Sequence, residues 1–332
     1  MLKHYNIPIF MPEVACKNQC VFCNQKNISS TNSIPSPQEV YNTINTHLAS
    51  MKNESNKQIA FFGGSFTGLP HTIQTEYLAI AYEYIQAGKV QGIRLSTRPD
   101  YISDKILETL QTYGVTDIEL GAQSFDNSVL KLTNRNHSSD DIKKASEKIL
   151  NHGFKLGLQM MIGLPGDSYE KSIKTAQSIV QCGAHSTRIY PCLVIADTQL
   201  AHMYAQGTYS PLSLTDAVNN TADICSFFDA HAIQILRVGL HPNKDFDSKE
   251  ICIAGPYHQS FKQLVYTRIW EQKFKNIKPQ KGKLSILVSC SDIPYAVGYK
   301  SFNKKSLQKT YGWVSIKAHK SIQKNEFSYS YN

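Results

Sequence analysis

Through residues 5 to 240, short apolar runs alternate with longer stretches in which hydrophobic residues recur every three or four positions. A short apolar run suits a buried strand, and the longer period suits an amphipathic helix. The pattern predicts strands at Asn6–Met11, Gln58–Phe62, Gly92–Thr97, Asp117–Gln123, Lys155–Ile162 and Thr187–Leu193, with helices near 37 to 52, 71 to 88, 102 to 113, 139 to 152, 168 to 182 and 214 to 230. Successive strands start roughly 25 to 50 residues apart, room for the crossover helix that parallel pairing needs. Strand, turn and helix repeating in that order mark an α/β fold. Six units fall short of the eight that close a full barrel, so the expectation is an open, partial (β/α)6 TIM-like barrel, with Ala232–Val238 as a candidate edge strand.

Turn residues support this map. Gly63-Gly64, Arg98-Pro99-Asp100, Gly163-Leu164-Pro165-Gly166 and Tyr190-Pro191 fall at or near strand C-termini, where parallel α/β sheets carry their functional loops. Beyond about residue 242 the rhythm changes. Leu284–Ser289 and Trp313–Ile316 read as strands with lysines clustered between them, which divides the chain into a core of residues 1–245 and a small basic α+β extension of residues 246–332.

Charge sharpens that division. The 332 residues carry a formal net charge of +9, and residues 251–332 alone hold 14 Lys+Arg against 3 Asp+Glu, net +11, leaving net −2 on residues 1–250. With 41% hydrophobic residues the chain is too apolar for disorder, and it is too long for a disulfide-stapled miniprotein. No apolar run approaches the 18 or so residues of a membrane span. Pro8, Pro12, Glu13 and Lys17 interrupt the only N-terminal apolar run, which argues against a signal peptide and for a cytoplasmic protein. In a reducing compartment, the eight cysteines are not expected to pair as structural disulfides.

Three of those cysteines crowd into Cys16-Lys-Asn-Gln-Cys20-Val-Phe-Cys23, directly after the first strand, and the next lies far away at Cys182. A closed structural zinc site wants four ligands, commonly from CxxC pairs. Three thiolates on a cubane [4Fe–4S] cluster instead leave one iron open to a further ligand. A zinc or redox-active loop is the competing reading of the triplet. Cys182, Cys192, Cys225, Cys252 and Cys290 are expected to be small buried hydrophobes. His137, His241 and His258 are read as structural histidines.

The CxxxCxΦC spacing, with Phe22 as its aromatic, resembles the hallmark of the radical S-adenosylmethionine (SAM) superfamily. Within it, FFGGSFTGLP, STRPDYI, ELGAQSFD, LTNRNH and RIYPCLVIADT are similar to the radical SAM core of the Elongator catalytic subunit, in the manner of a short relative lacking the acetyltransferase domain. The resemblance implies that Cys16, Cys20 and Cys23 bind three irons and that SAM chelates the fourth. Reductive cleavage of SAM would then yield a 5′-deoxyadenosyl radical. It further implies SAM contacts from Phe22, Gly63, Gly64, Ser65, Ser96, Gln123, Arg135 and Gln159, and a one-electron donor of the flavodoxin or ferredoxin type. Ser65 and Ser96 stand where relatives often have glutamate, and the bland reading of Gln123, Arg135 and Gln159 is ordinary hydrogen bonding in a barrel mouth.

The tail supplies the substrate expectation. Tyr266, Trp270, Phe274, Tyr299, Phe302, Tyr311 and Trp313 are interleaved with its lysines, a composition that suits stacking and phosphate contact with single-stranded RNA. The leading expectation is an enzyme of RNA, specifically tRNA, modification. A radical SAM enzyme acting on a small molecule, of the coproporphyrinogen oxidase type, and a non-catalytic iron–sulfur or haem-handling protein are the alternatives.

Overall fold

The computed structural model describes residues 4–11, 19–24, 34–51, 55–240, 246 and 250–332. Its strands are β1 (His4–Met11), β2 (Asn56–Gly63), β3 (Gly92–Thr97), β4 (Val115–Gln123), β5 (Lys155–Ile162), β6 (Ser186–Pro191), β7 (Val194–Ile195), β8 (Gln234–Val238), β9 (Cys252–Ala254), β10 (Leu284–Val288), β11 (Val314–Ala318) and β12 (Phe327–Tyr331). The helices are α1 (Pro37–Ser50), α2 (His71–Gln86), α3 (Asp104–Thr112), α4 (Asn127–Leu132), α5 (Ser139–Asn151), α6 (Tyr169–Gln181), α7 (Gln199–Ala205), α8 (Leu214–Ala230), α9 (Phe261–Phe274), α10 (Ile293–Val297) and α11 (Phe302–Tyr311).

Local chemistry fixes where the crossover helices begin. Ser36 and Ser138 each close a reciprocal capping box with Glu39 and Asp141, and Ser103, Ser168, Thr198 and Ser213 accept backbone N–H bonds at the starts of α3, α6, α7 and α8. Each hydroxyl satisfies a donor that the helix itself leaves unpaired.

Seven strands pair in the order β1-β2-β3-β4-β5-β6-β8, every neighbour parallel, and curl into a half-barrel wrapped by helices. The expected edge strand is therefore present as β8, bonded to β6. Its partner edge is β1, so the barrel stays open between them. Alternation along each strand separates two environments. Ile118, Leu120, Leu158, Met160, Ile162 and Ile189 face the helices at 0% exposure. The intervening Gly121, Gln159, Met161, Arg188 and Tyr190 line the concave side and are half-buried.

Beyond the half-barrel, β7 and β9 pair antiparallel, and a three-stranded sheet in the order β11-β10-β12 has one parallel and one antiparallel pairing. Helix α9 joins the two regions. Phe261, Val265 and Ile269 belong to the barrel's core, whereas Trp270 and Phe274 pack with Leu284, Ile286, Val288 and Val314 beneath the small sheet. Among the described residues, no helix is long and apolar enough to cross a membrane.

Candidate functional site

Cys16 lies outside the described residues; Cys20 is buried, and Phe22 and Cys23 are half-buried at the barrel mouth. The loop carrying them is tied down from two sides. Val21 donates its N–H to the Thr133 carbonyl at 3.2 Å and accepts from Leu200 N–H at 2.8 Å. Asn134 Nδ2 donates to the Gln19 carbonyl at 2.9 Å, and Asn24 Nδ2 to the Ala196 carbonyl at 3.1 Å. Between these ties Val21 is buried among Val129, Leu164, Cys192 and Leu200, with Phe22 against the same cluster. Cys23 N–H closes a turn onto the Cys20 carbonyl at 3.0 Å, bringing the two cysteines to one side of the loop.

Arg135 meets this loop from the segment after α4. Its Nη1 is 3.2 Å from Cys20 Sγ, and its Nη2 donates to the Gly121 carbonyl on β4. A positive group thus stands against a sulfur that would carry negative charge as a metal ligand. Arg135 Nε is buried with no hydrogen-bond partner among the described residues. An unsatisfied buried donor is costly, and a bound carboxylate would satisfy it.

Gln123, Arg135 and Gln159 come together. Gln159 Nε2 donates to Gln123 Oε1 at 3.3 Å, and a Cβ on Gly121 would fall 3.0 Å from Gln123 Nε2 and 3.5 Å from Arg135 Nη2. Gln123 reaches this position through a left-handed backbone, φ 66°, at a register shift between β4 and β5. On β2, two strands away from β4, Gly63 has φ 106°, and a Cβ there would lie 2.3 Å from the Met11 carbonyl oxygen. Gly64 N–H donates to that same oxygen at 2.6 Å. The glycine pair therefore brings bare backbone to the mouth, where any side chain on Gly63 would collide. Ser65 is buried at the start of the short Phe66–Gly68 turn, and Ser96 is half-buried on β3 opposite Glu119. Sulfur donors, an orphaned guanidinium nitrogen and a glycine cradle suit an iron–sulfur cluster beside an amino-acid-like group.

Residues given no cofactor role in the sequence reading support the site. Arg98 grips Asp100 with two bonds of 2.9 and 2.8 Å, and Asp100 Oδ1 lies 3.9 Å from His137 Nδ1. Burial, reinforced by Arg135, pushes His137 down to about 3, so it is neutral here. This fits its reading as structural, although its Nδ1 lacks a hydrogen bond among the described residues. Deeper in the barrel, Arg94 bonds Asp117, Glu119 and Gln58, while Arg188 takes both oxygens of Glu119 and lies 4.8 Å from the Phe62 ring. The available signal was Arg94, Asp117, Glu119, Gln159 and Arg188, charged or amide residues on alternate positions of strands whose other face is apolar. A parallel sheet buried on both faces would not carry that pattern.

The remaining cysteines divide. Cys192, Cys225 and Cys252 are buried, burial pushing the Cys192 thiol up to about 12 and that of Cys252 to about 11. Cys182 is half-buried and Cys290 exposed, so Cys290 is not the buried hydrophobe its sequence suggested. Position decides this: Cys290 follows β10 in a turn, outside both cores. His258 Nδ1 accepts from Ser260 N–H at 2.9 Å in a local turn, and His241 lies outside the described residues.

Residues 12–179 match the family model of the Radical SAM superfamily, and residues 184–271 that of the Radical_SAM C-terminal domain. The tRNA uridine(34) acetyltransferase of Methanocaldococcus infernus is 37% identical over 127 residues, 37% of this chain and 24% of that protein. Elongator complex protein 3 of Bos taurus is 30% identical over 227 residues, 62% of this chain and 40% of that protein. The chain thus spans well under half the length of either relative. The structure of Methanocaldococcus infernus Elp3 with an N-terminal deletion superimposes with a TM-score of 0.67 at 21% identity, covering 82% of this chain and 64% of that one, and so shares the fold. With half its length matched by the family model, the chain belongs to the radical SAM superfamily, enzymes that work through a [4Fe–4S] cluster and S-adenosylmethionine.

Proposed function

We propose that this enzyme modifies an RNA of the tRNA class, with residues 1–245 performing the chemistry and residues 246–332 docking the substrate. Cys16, Cys20 and Cys23 would hold the cluster. Phe22, Gly63, Gly64, Ser65, Ser96, Gln123, Arg135 and Gln159 would hold SAM, and the electron would come from a flavodoxin- or ferredoxin-type donor. When bound and reduced, these cofactors supply a carbon-centred radical able to abstract hydrogen. The chain's own part is to hold the loop rigid through Thr133, Asn134 and Leu200, to present Arg135 to a carboxylate, and to keep the mouth shielded by Val21 and Phe22.

The observation that carries the RNA reading is the uncovered face of the C-terminal sheet. Leu284, Ile286, Val288 and Val314 are buried beneath it, whereas Ser285, Leu287, Ser315, Lys317, Ser328 and Ser330 are half-buried or exposed. Ser315, Ser285 and Ser330 sit directly opposite one another across the three strands, and Lys317 and Ser328 flank Leu287 in the same way. At one end Trp313 is 51% exposed, with Lys283 Nζ 5.8 Å from its ring. Hydroxyls, lysines and a free indole on a flat sheet suit a single-stranded backbone with a stacked base. The similarity to proteins named as tRNA uridine(34) acetyltransferases points to tRNA among RNAs. The acetyl-transfer chemistry is not carried over, because the aligned region is 24% of that protein.

Binding of a tRNA pool to the reconstituted enzyme, titrated with salt, tests this. About six phosphate contacts give a log–log slope near −4 to −5, and Trp313→Ala should weaken binding about tenfold by removing one stacked base. Salt-independent binding, or SAM cleavage indifferent to RNA, would refute it.

A further inference from the structure

The concave wall of the half-barrel holds more positive than negative charge. Among the described residues its carboxylates are Asp117 and Glu119, and neither has an oxygen to spare. Glu119 Oε1 accepts from Arg94 at 3.0 Å and Arg188 at 3.1 Å, and its Oε2 accepts from Arg188. Asp117 Oδ1 accepts from Arg94 at 2.6 Å, and its Oδ2 accepts from Gln58 and Thr116 at 2.7 and 2.8 Å.

The third guanidinium, Arg237 on β8, is the direct register partner of Arg188 on β6. It is half-buried, and its Nε donates to the Gly239 carbonyl at 3.2 Å. It forms no ion pair among the described residues. Burial and the adjacent Arg188 both disfavour its charge, and only the phenol of Tyr190 offsets them. A cation held against a like charge without a counter-ion lowers stability. Such a feature marks a site meant for a ligand more often than a structural tie.

Its level in the barrel connects it to the chemistry. Arg237 pairs with Arg188, Arg188 with Gln159, and Gln159 with Gly121, whose carbonyl holds the guanidinium that touches Cys20 Sγ. One row of strand positions therefore runs from the cysteine loop to Arg237 across the open mouth.

We propose that Arg237, backed by Arg188 and Tyr190, is an anion subsite inside the half-barrel that takes a phosphate group of the nucleotide undergoing reaction. The phosphate identity rests on the RNA reading; the anion subsite rests on the barrel alone. A guanidinium fork matches a phosphate with two parallel bonds. That contact would fix the reacting nucleotide at the cluster's level while the C-terminal sheet holds the flanking strand.

The test uses inorganic phosphate and acetate as probes on the full, reconstituted protein, followed by calorimetry and by phosphorus resonance broadening. The expected result is saturable phosphate binding that weakens at least tenfold in Arg237→Gln, is partly retained in Arg237→Lys, and is unchanged in Lys105→Gln, a control exposed on the outer helix α3. Arg237→Gln should melt at or above the wild-type temperature, because it removes an unpaired charge. Equal phosphate binding in wild type and Arg237→Gln would overturn the subsite, as would a melting point lowered by several degrees, which would make Arg237 a structural residue. Preferential binding of acetate would reassign the subsite to a carboxylate substrate and overturn the phosphate assignment. Phosphate binding through Arg237 combined with salt-independent tRNA binding would uphold the subsite while refuting the RNA reading, so the two fail separately.

Discussion

Glu119 is the residue on which the barrel interior most depends, and Glu119→Gln should destabilise the protein by about 3–5 kcal/mol. The carboxylate is 4% exposed and serves two guanidiniums, Arg94 at 3.0 Å and Arg188 at 3.1 Å. At an effective dielectric near 20, each contact is worth roughly 5 kcal/mol of attraction. Most of that offsets the several kcal/mol needed to take each ion out of water. The amide keeps the shape but removes the charge, leaving Asp117 alone among Arg94, Arg188 and Arg237. The penalty of desolvating Arg188 then stands uncompensated, since the Phe62 face 4.8 Å away returns only about 1–2 kcal/mol. A urea titration of the full chain at pH 7 measures the loss, a large part of a typical 5–15 kcal/mol stability. The double variant Glu119→Gln/Arg188→Met should recover at least about 2 kcal/mol relative to Glu119→Gln, as interacting partners do. A loss below about 1 kcal/mol for Glu119→Gln, or a double variant no more stable than it, would refute the idea that charge pairing organises this interior.

Two further outcomes are expected. Gly63→Ala places a methyl 2.3 Å from the Met11 carbonyl oxygen and 2.8 Å from the Phe10 ring at φ 106°; the strain of roughly 1–2 kcal/mol should leave the fold intact by circular dichroism but lower SAM affinity at least tenfold by equilibrium dialysis. Unchanged affinity would mean that the glycine pair does not form the cofactor cradle. His137, pushed down to about 3 in the folded protein, titrates near 6.5 when unfolded, so between those values the unfolded chain binds the extra proton. Stability should therefore fall by up to about 1.4 kcal/mol per pH unit as pH drops below about 6, and His137→Gln should flatten that part of the profile in melts between pH 7 and 5. A slope that the substitution leaves unaltered would show that His137 is not buried and neutral.

How much of this was readable from sequence varied with the physics of each part. Gly92–Thr97 and Lys155–Ile162 have the bounds their sequence predicts, because their apolar residues recur at every second position over the whole span, the period of a strand with one face against the core. Helix α9 escaped the periodicity argument for a specific reason. Phe261, Val265 and Ile269 serve one core while Trp270 and Phe274 serve another, so apolar residues are spread around the helix and no single stripe forms. Helices α4 and α7, of 6 and 7 residues, are too short to show a period. By contrast β12, Phe-Ser-Tyr-Ser-Tyr, alternates cleanly, and could have been found. At the site, the cysteine spacing was legible because metal chemistry fixes it locally. The contact of Arg135 with Cys20 was not, because it depends on hydrogen bonds between residues 115 apart in sequence.

The charge arithmetic also takes on a spatial meaning. Residues 1–250 sum to −2, yet among the described residues the concave wall within them holds three arginines, Arg94, Arg188 and Arg237, against two carboxylates. Everything else in that region therefore sums to −3, and its exposed acids, such as Glu76, Glu83, Glu108, Asp140, Glu147 and Glu170, stand on the outer helices among lysines. A polyanion diffusing past the convex side meets a surface that is neutral to slightly repulsive. It meets net positive charge at the small C-terminal sheet and again inside the mouth. Low-dielectric walls focus the field of charges set in a cleft, so Arg237, which forms no ion pair among the described residues, acts over a longer range there than a lysine on the open surface. The two basic regions are linked through α9, which is anchored in both cores.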